Sequence, residues 1–201
     1  MYVPAPFRLL PVILLVSTAA VAGAPPKSAA VFPTQSEPAP ARIVVGFVGG
    51  FVRHDRPHHG PVELGQRIQH DAPTGTYVQV FENRHRKNAY KAVVQLLDRD
   101  HDGVLSDEEK SRSRIILFGH SWGAAAAVLL ARDLRRDHIP VLLTVQVDSV
   151  AKPWQNDSVI PDNVSEAVNF YQPNGLVHGR KQIIAPDSIQ NISNPPRLSI
   201  T

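Results

Sequence analysis

Gly119-His120-Ser121-Trp122-Gly123 sets one serine between two glycines, directly after the apolar run Ile115-Ile116-Leu117-Phe118 and before an alanine- and leucine-rich segment over 124–136. A serine in that setting sits on a sharp strand-to-helix turn, where a side chain at either glycine would collide and the hydroxyl is lifted above the sheet. The chemistry this suits is nucleophilic attack on an acyl carbon. The helix N-terminus beneath, with the Trp122 amide, favours negative charge on the attacked oxygen. The plainer alternative is that the glycines only let a strand and a helix pack closely, which leaves Ser121 without a role. Gly49-Gly50-Phe51, after the β-branched run over 43–48, offers a second set of oxyanion donors in the Gly50 and Phe51 amides, or else is an ordinary glycine turn.

A serine nucleophile needs a base, and the base needs an orienting acid. On this kind of turn the chain order is nucleophile, acid, histidine. Asp148 follows directly on a strand ending at Val147 and is the first candidate acid, ahead of Asp157 and Asp162 in the next loop. Of the nine histidines only His178 lies downstream of Asp148, so it is the candidate base, with a polar loop residue as the other reading.

A second constellation carries different chemistry. Asp98, Asp100 and Asp102 alternate, Gly103 follows, and Val104, Ser106 and Glu109 occupy the remaining ligand positions of a twelve-residue EF-hand loop. The aspartates supply carboxylate oxygens, Val104 its backbone carbonyl, Ser106 a water-mediated contact and Glu109 two oxygens, a set that suits calcium. The competing reading is an acidic surface loop that opens a helix, with Ser106 as its cap. A calcium clip here would stiffen the segment that feeds the Ile115 strand. The group His54-Asp55-Arg56-Pro57-His58-His59 has metal-ligand residue types but no metal-site spacing, and reads as a substrate-lining or solvated loop.

The elements that must position these residues alternate in type. Strands are expected over 43–48, 77–81, 115–118, 140–147, 167–171 and 182–185, and helices over 61–69, 88–97 and 124–136. The charged run Arg84-His85-Arg86-Lys87 reads as a solvated helix start. Such alternation implies the α/β class: a single domain with a mostly parallel sheet covered by helices on both faces. The connection from 171 to 182 is too short for a helical crossover, so the strands either side of it are expected to be antiparallel.

The chain of 201 residues has 43% hydrophobic content, no cysteine and a net charge of +3. That excludes a disulfide scaffold and a thiol nucleophile, and the interleaved charges form no basic stripe for nucleic acid. Residues 1–22, with one arginine, an apolar stretch broken by Pro11 and the ending Ala20-Val21-Ala22, read as a signal peptide directing export to the periplasm or the exterior. The apolar run is short for a membrane span, so none is expected in the mature chain. Residues 23–41 form a Pro/Ala-rich linker, and 42–201 the folded domain with the EF-hand-type loop 98–109.

The elbow, the Gly-Gly loop and the element order resemble the α/β-hydrolase superfamily, and the segment Thr144-Val145-Gln146-Val147-Asp148-Ser149-Val150 looks like the acid segment of bacterial lipase- and thioesterase-like members. The resemblance implies Ser121 as nucleophile, Trp122 as an oxyanion amide and Asp148 as acid. Longer members continue past a segment like Ala185-Pro186-Asp187 and carry their histidine there. The resemblance therefore implies either a chain truncated at its C-terminus or a base moved to His178. Two functions follow: an exported hydrolase of small-molecule or lipid esters or thioesters with a structural calcium site, or a non-catalytic calcium-binding relative without its base. Acyl specificity and oligomeric state have no signature in the sequence.

Overall fold

The computed structural model describes residues 41–172 and 179–186, together with the backbone of a strand at Gln190–Ser193. The leader over 1–22, nearly all of the linker over 23–41, and His178 lie outside the described residues. Among the described residues no helix is long and apolar enough to cross a membrane.

Six strands form one parallel sheet: β1 (Arg42–Val48), β2 (Thr76–Glu82), β3 (Arg114–His120), β4 (Val141–Val147), β5 (Val164–Phe170) and β6 (Gln190–Ser193), in the order β2-β1-β3-β4-β5-β6. Helices α1 (Gly60–Asp71), α2 (Arg86–Leu97), α3 (Asp107–Ser111) and α4 (Trp122–Arg136) connect them. Alternation along β1 and β3 sends Ile43, Val45, Phe47, Ile115 and Leu117 into one buried cluster with Val93 and Leu97 of α2 and Leu130 and Leu134 of α4. Phe118 and Val48 lie on the opposite face, where α1 packs against β1 and β2. Both faces are therefore covered, which explains why the central strands read as continuous apolar runs. Ala124, Ala125, Ala126, Ala127 and Ala131 are all buried, and their small side chains let α4 lie close on β1, β3 and β4.

The strand order positions the site. From β1 the chain goes outward to the edge strand β2, then crosses back to β3 on the other side of β1. The loops leaving β1 and β3 therefore run in opposite directions, and open a crevice at the carboxyl ends of those two strands. The glycine loop over 49–51 and the elbow at Ser121 are the two walls of that crevice.

Three expectations need correction. The strands flanking the 171–182 connection are not antiparallel. Among the described residues the segment over 182–185 makes one isolated parallel bridge, Ile184 to Val159, while the described strand that follows β5 is β6, which pairs with it in parallel. Ile183 is buried against the core, so the apolar run there is a packing anchor and not a sheet strand. The longer connection then has room for a crossover. Arg86 is not solvated: its guanidinium pairs with Asp133 and donates to the Leu129 carbonyl at 3.2 Å, and burial pushes its pKa down.

Candidate active site

Ser121 sits at φ 54° and ψ −123°, a backbone conformation that costs a non-glycine residue about 1–3 kcal/mol. It persists because its peptide is held from several sides. The Ser121 N–H donates to the Val147 carbonyl at 2.9 Å, and the Ser121 carbonyl accepts from Ala124 at 3.0 Å and from Val150 at 3.3 Å. Two of those partners, Val147 and Val150, flank Asp148, so the bonds that strain the serine also dock it beside the end of β4. Trp122 opens α4, where its N–H has no intrahelical acceptor and the helix dipole is positive.

The glycine loop closes on the same point. Gly49 lies so near the elbow that a Cβ on it would stand 2.9 Å from Ser121 Cβ. Gly50 adopts φ 52°, and the Phe51 ring meets the Trp122 ring edge-on with centroids 5.3 Å apart. Ser121, Trp122, Gly50 and Phe51 thus lie close together at the carboxyl ends of β1 and β3.

Asp148 follows β4, whose last residue Val147 pairs with His120, so Asp148 and Ser121 end adjacent strands. Asp148 is buried, its N–H donates to the Phe170 carbonyl at 2.8 Å, and its Oδ1 accepts the Gln172 N–H at 2.6 Å. Gly179 packs directly on it, since a Cβ there would be 2.2 Å from Asp148 Cα, and the Arg180 N–H donates to the Ser149 carbonyl at 2.8 Å. Both ends of the segment that contains His178 therefore abut Asp148, although His178 itself lies outside the described residues. The rival acids are committed elsewhere. Asp157 is fully buried and accepts from Ser149 Oγ at 2.5 Å and Arg180 Nε at 2.6 Å, while exposed Asp162 pairs with Arg135 near the far end of α4.

Sequence reasoning passed over Asn83 and Lys152 at this edge. Asn83 donates from Nδ2 to the Gly50 carbonyl at 2.6 Å and to the Val48 carbonyl at 3.3 Å. Lys152 donates from Nζ to Asn83 Oδ1 at 2.6 Å and stands 4.9 Å above the Trp122 ring. His59 lies edge-on to His120 at 6.2 Å with its Nδ1 buried and unpartnered, and burial, reinforced by His120, lowers its pKa. Among the described residues the histidine loop makes separate pairs: His54 lies 3.5 Å from Glu82, His58 3.3 Å from Glu63, and Asp55 pairs with Arg53.

The acidic loop over 98–109 closes through bonds from its own backbone to its carboxylates. Asp98, Asp100 and Asp102 each present an oxygen within 4.8 Å of the others. Asp98 Oδ2 accepts the Gly103 N–H at 3.1 Å, with Gly103 at φ 82°, and Asp102 Oδ1 accepts the Val104 N–H at 2.7 Å. Asp98 Oδ1 is buried without a hydrogen-bond partner. Ser106 and Glu109 cap α3 reciprocally, and Glu109 also accepts the Arg99 N–H at 2.7 Å, bonds that hold its carboxyl below the usual range. The loop leads through α3 into the amino end of β3, whereas Ser121 follows the carboxyl end. The seven residues of β3 separate them by about 20 Å.

No curated protein matches this chain. The family described as Lipase (class 3) matches residues 71–178, a span that runs from the end of α1 through the elbow and Asp148 to His178. That is more than half of the chain, and with the parallel sheet and the strained serine at its switch point it shows that this protein belongs to the class 3 lipase family, on the α/β-hydrolase fold.

Proposed function

We propose that the protein is an exported serine hydrolase that cleaves carboxylic esters or thioesters, lipid esters foremost, through an acyl-enzyme on Ser121. The observation that carries this reading is the strained Ser121, held at a helix N-terminus against the glycine loop. In this reading His178 takes the Ser121 proton as Oγ attacks the acyl carbon, and Asp148 orients the imidazole. The Trp122, Gly50 and Phe51 amides hold the oxyanion. The proton passes from the imidazole to the leaving alcohol or thiol, and water, activated by the same base, then releases the acid and restores Ser121. The exposed Phe51 beside half-buried Trp122 favours an apolar acyl chain. The expected result is that a fluorophosphonate labels the chain at one site, mapped by mass spectrometry to Ser121, and that Ser121→Ala is not labelled. An unlabelled but folded protein would instead support the non-catalytic reading.

The loop 98–109 fits calcium, and the unpartnered Asp98 Oδ1 among three converging carboxylates is the observation that supports it. Asp98, Asp100, Asp102, the Val104 carbonyl, Ser106 and Glu109 would hold the ion, with Glu109 exchanging its present bonds to Ser106 for the cation. Calcium would supply charge neutralisation and loop closure. At a concentration 100 times its Kd, the linkage is about 2.7 kcal/mol, or roughly 5–10 °C in Tm for a domain of this size. The expectation is a calcium-dependent rise in Tm, abolished by chelator and by Asp98→Asn with Asp100→Asn. The Ser121 labelling rate well below Tm should change less than about twofold. Equal Tm in calcium and chelator would remove the site.

A further inference from the structure

We infer that Asn83 and Lys152 form a clamp that sets the orientation of the Phe51 amide, making Asn83 a positioning residue for the hydrolysis. The inference rests on the hydrolase reading above. Asn83 follows β2 directly, and its one carboxamide is bonded on both sides. Nδ2 donates to the Gly50 and Val48 carbonyls at 2.6 and 3.3 Å, and Oδ1 accepts from Lys152 Nζ at 2.6 Å. Lys152 comes from the loop after β4 and lies over the ring of Trp122, the residue after the nucleophile. Segments from the ends of β1, β2 and β4 thus meet at a single amide, and Lys152 links it to the start of α4 after β3.

Peptide geometry turns this contact into a consequence for the site. The C=O of Gly50 and the N–H of Phe51 belong to one trans, planar unit and point in opposite directions. Tying the Gly50 carbonyl to Asn83 therefore aims the Phe51 N–H to the other side, away from β2. The Val48 carbonyl does the same for the Gly49 N–H. The Val52 N–H closes this turn on the Gly49 carbonyl at 3.2 Å, but glycines at 49 and 50 leave the peptides between free to rotate unless they are tied, and a freely rotating donor loses its preorganisation. The ammonium of Lys152 strengthens the clamp, because a charge-assisted bond to Oδ1 polarises the carboxamide that donates to Gly50. It also adds positive charge near the amino end of α4, where the oxyanion would form.

Asn83→Asp tests the clamp with little change of volume. The aspartate still accepts from Lys152 but has no N–H for the two carbonyls. The readouts are fluorophosphonate labelling of Ser121 and hydrolysis of a p-nitrophenyl ester, with Tm measured alongside. The expected result is labelling and kcat slowed roughly 10- to 100-fold, KM within about threefold, and Tm nearly unchanged. Lys152→Met should slow both several-fold and Lys152→Arg should restore them, which also provides the test should Asn83→Asp fail to fold. Parent protein labelled, with Asn83→Asp and Lys152→Met labelled at the same rate, overturns the clamp alone. A folded parent that never labels overturns the hydrolase reading, and the clamp falls with it.

Discussion

Gly123→Ala should destabilise the protein by about 3 kcal/mol or more, read as a fall in the urea midpoint, whereas Gly60→Ala should change it by no more than about 1 kcal/mol in either direction. The two substitutions add the same methyl group to helical positions one or two residues from an N-terminus. At residue 123 the new Cβ would lie 2.3 Å from the Phe47 carbonyl oxygen and 2.8 Å from that of Val48, both backbone atoms of β1. Phe47 and Val48 are completely buried in the middle of the sheet, so neither can shift without breaking its pairing with β2 or β3. At residue 60 nothing beyond the chain neighbours and the helix's own backbone lies within 4 Å of the added carbon, and the loss of unfolded-state freedom is set against the crowding that Pro61 imposes on a helical residue before it. The contrast tests whether the second glycine of the elbow is there for close packing, and the outcome bears on stability whatever the protein's activity.

The elbow was legible in the sequence because everything that makes it is local. The apolar run of β3, the serine between glycines and the alanine-rich start of α4 are contiguous, and each has a pattern that the backbone geometry enforces. The closed acidic turn over 98–109 depends on local bonds too, which run between residues two to ten apart. What could not be read was made by distant partners. Asn83 and Lys152 are 69 positions apart, and Arg86 and Asp133 47, and an isolated polar residue carries no periodicity that announces a partner. β6 was missed because Gln190–Ser193 has one apolar residue, and an edge strand is held by backbone pairing more than by burial. β5 starts three residues earlier than expected, at Val164, since Ser165 and Glu166 interrupt its apolar signal. The apolar stretch at 182–185 misled in the opposite direction: burial of Ile183 under the core does not require a strand.

The assignment of Asp148 as the orienting acid makes a second, larger prediction that separates it from its neighbour Asp157. Asp148→Asn should lower kcat by about 10³- to 10⁴-fold with KM little changed, because an asparagine stabilises the wrong imidazole tautomer and cannot balance the imidazolium. The fold should survive, since the substitution is close to isosteric and Asp148 Oδ1 has only the Gln172 N–H to satisfy among its described contacts. Asp157→Asn should do the reverse. Its carboxylate is fully buried and joins Ser149 to Arg180, whose backbone also holds the Ser149 carbonyl, so weakening that pair loosens the 149–157 loop against the 179–183 segment. Because the Arg180 side chain is partly open to solvent, the loss is nearer 2 kcal/mol than the larger figure for a completely buried pair. The molecules that remain folded should still turn over normally. Steady-state kinetics and urea unfolding on the two variants give four numbers, and the reading requires them to cross: activity lost with stability kept at Asp148, stability lost with activity kept at Asp157. If Asp148→Asn retained full kcat, the acid would have to come from another residue, and the adjacency of Asp148 to Ser121 at the ends of β3 and β4 would be a matter of packing alone.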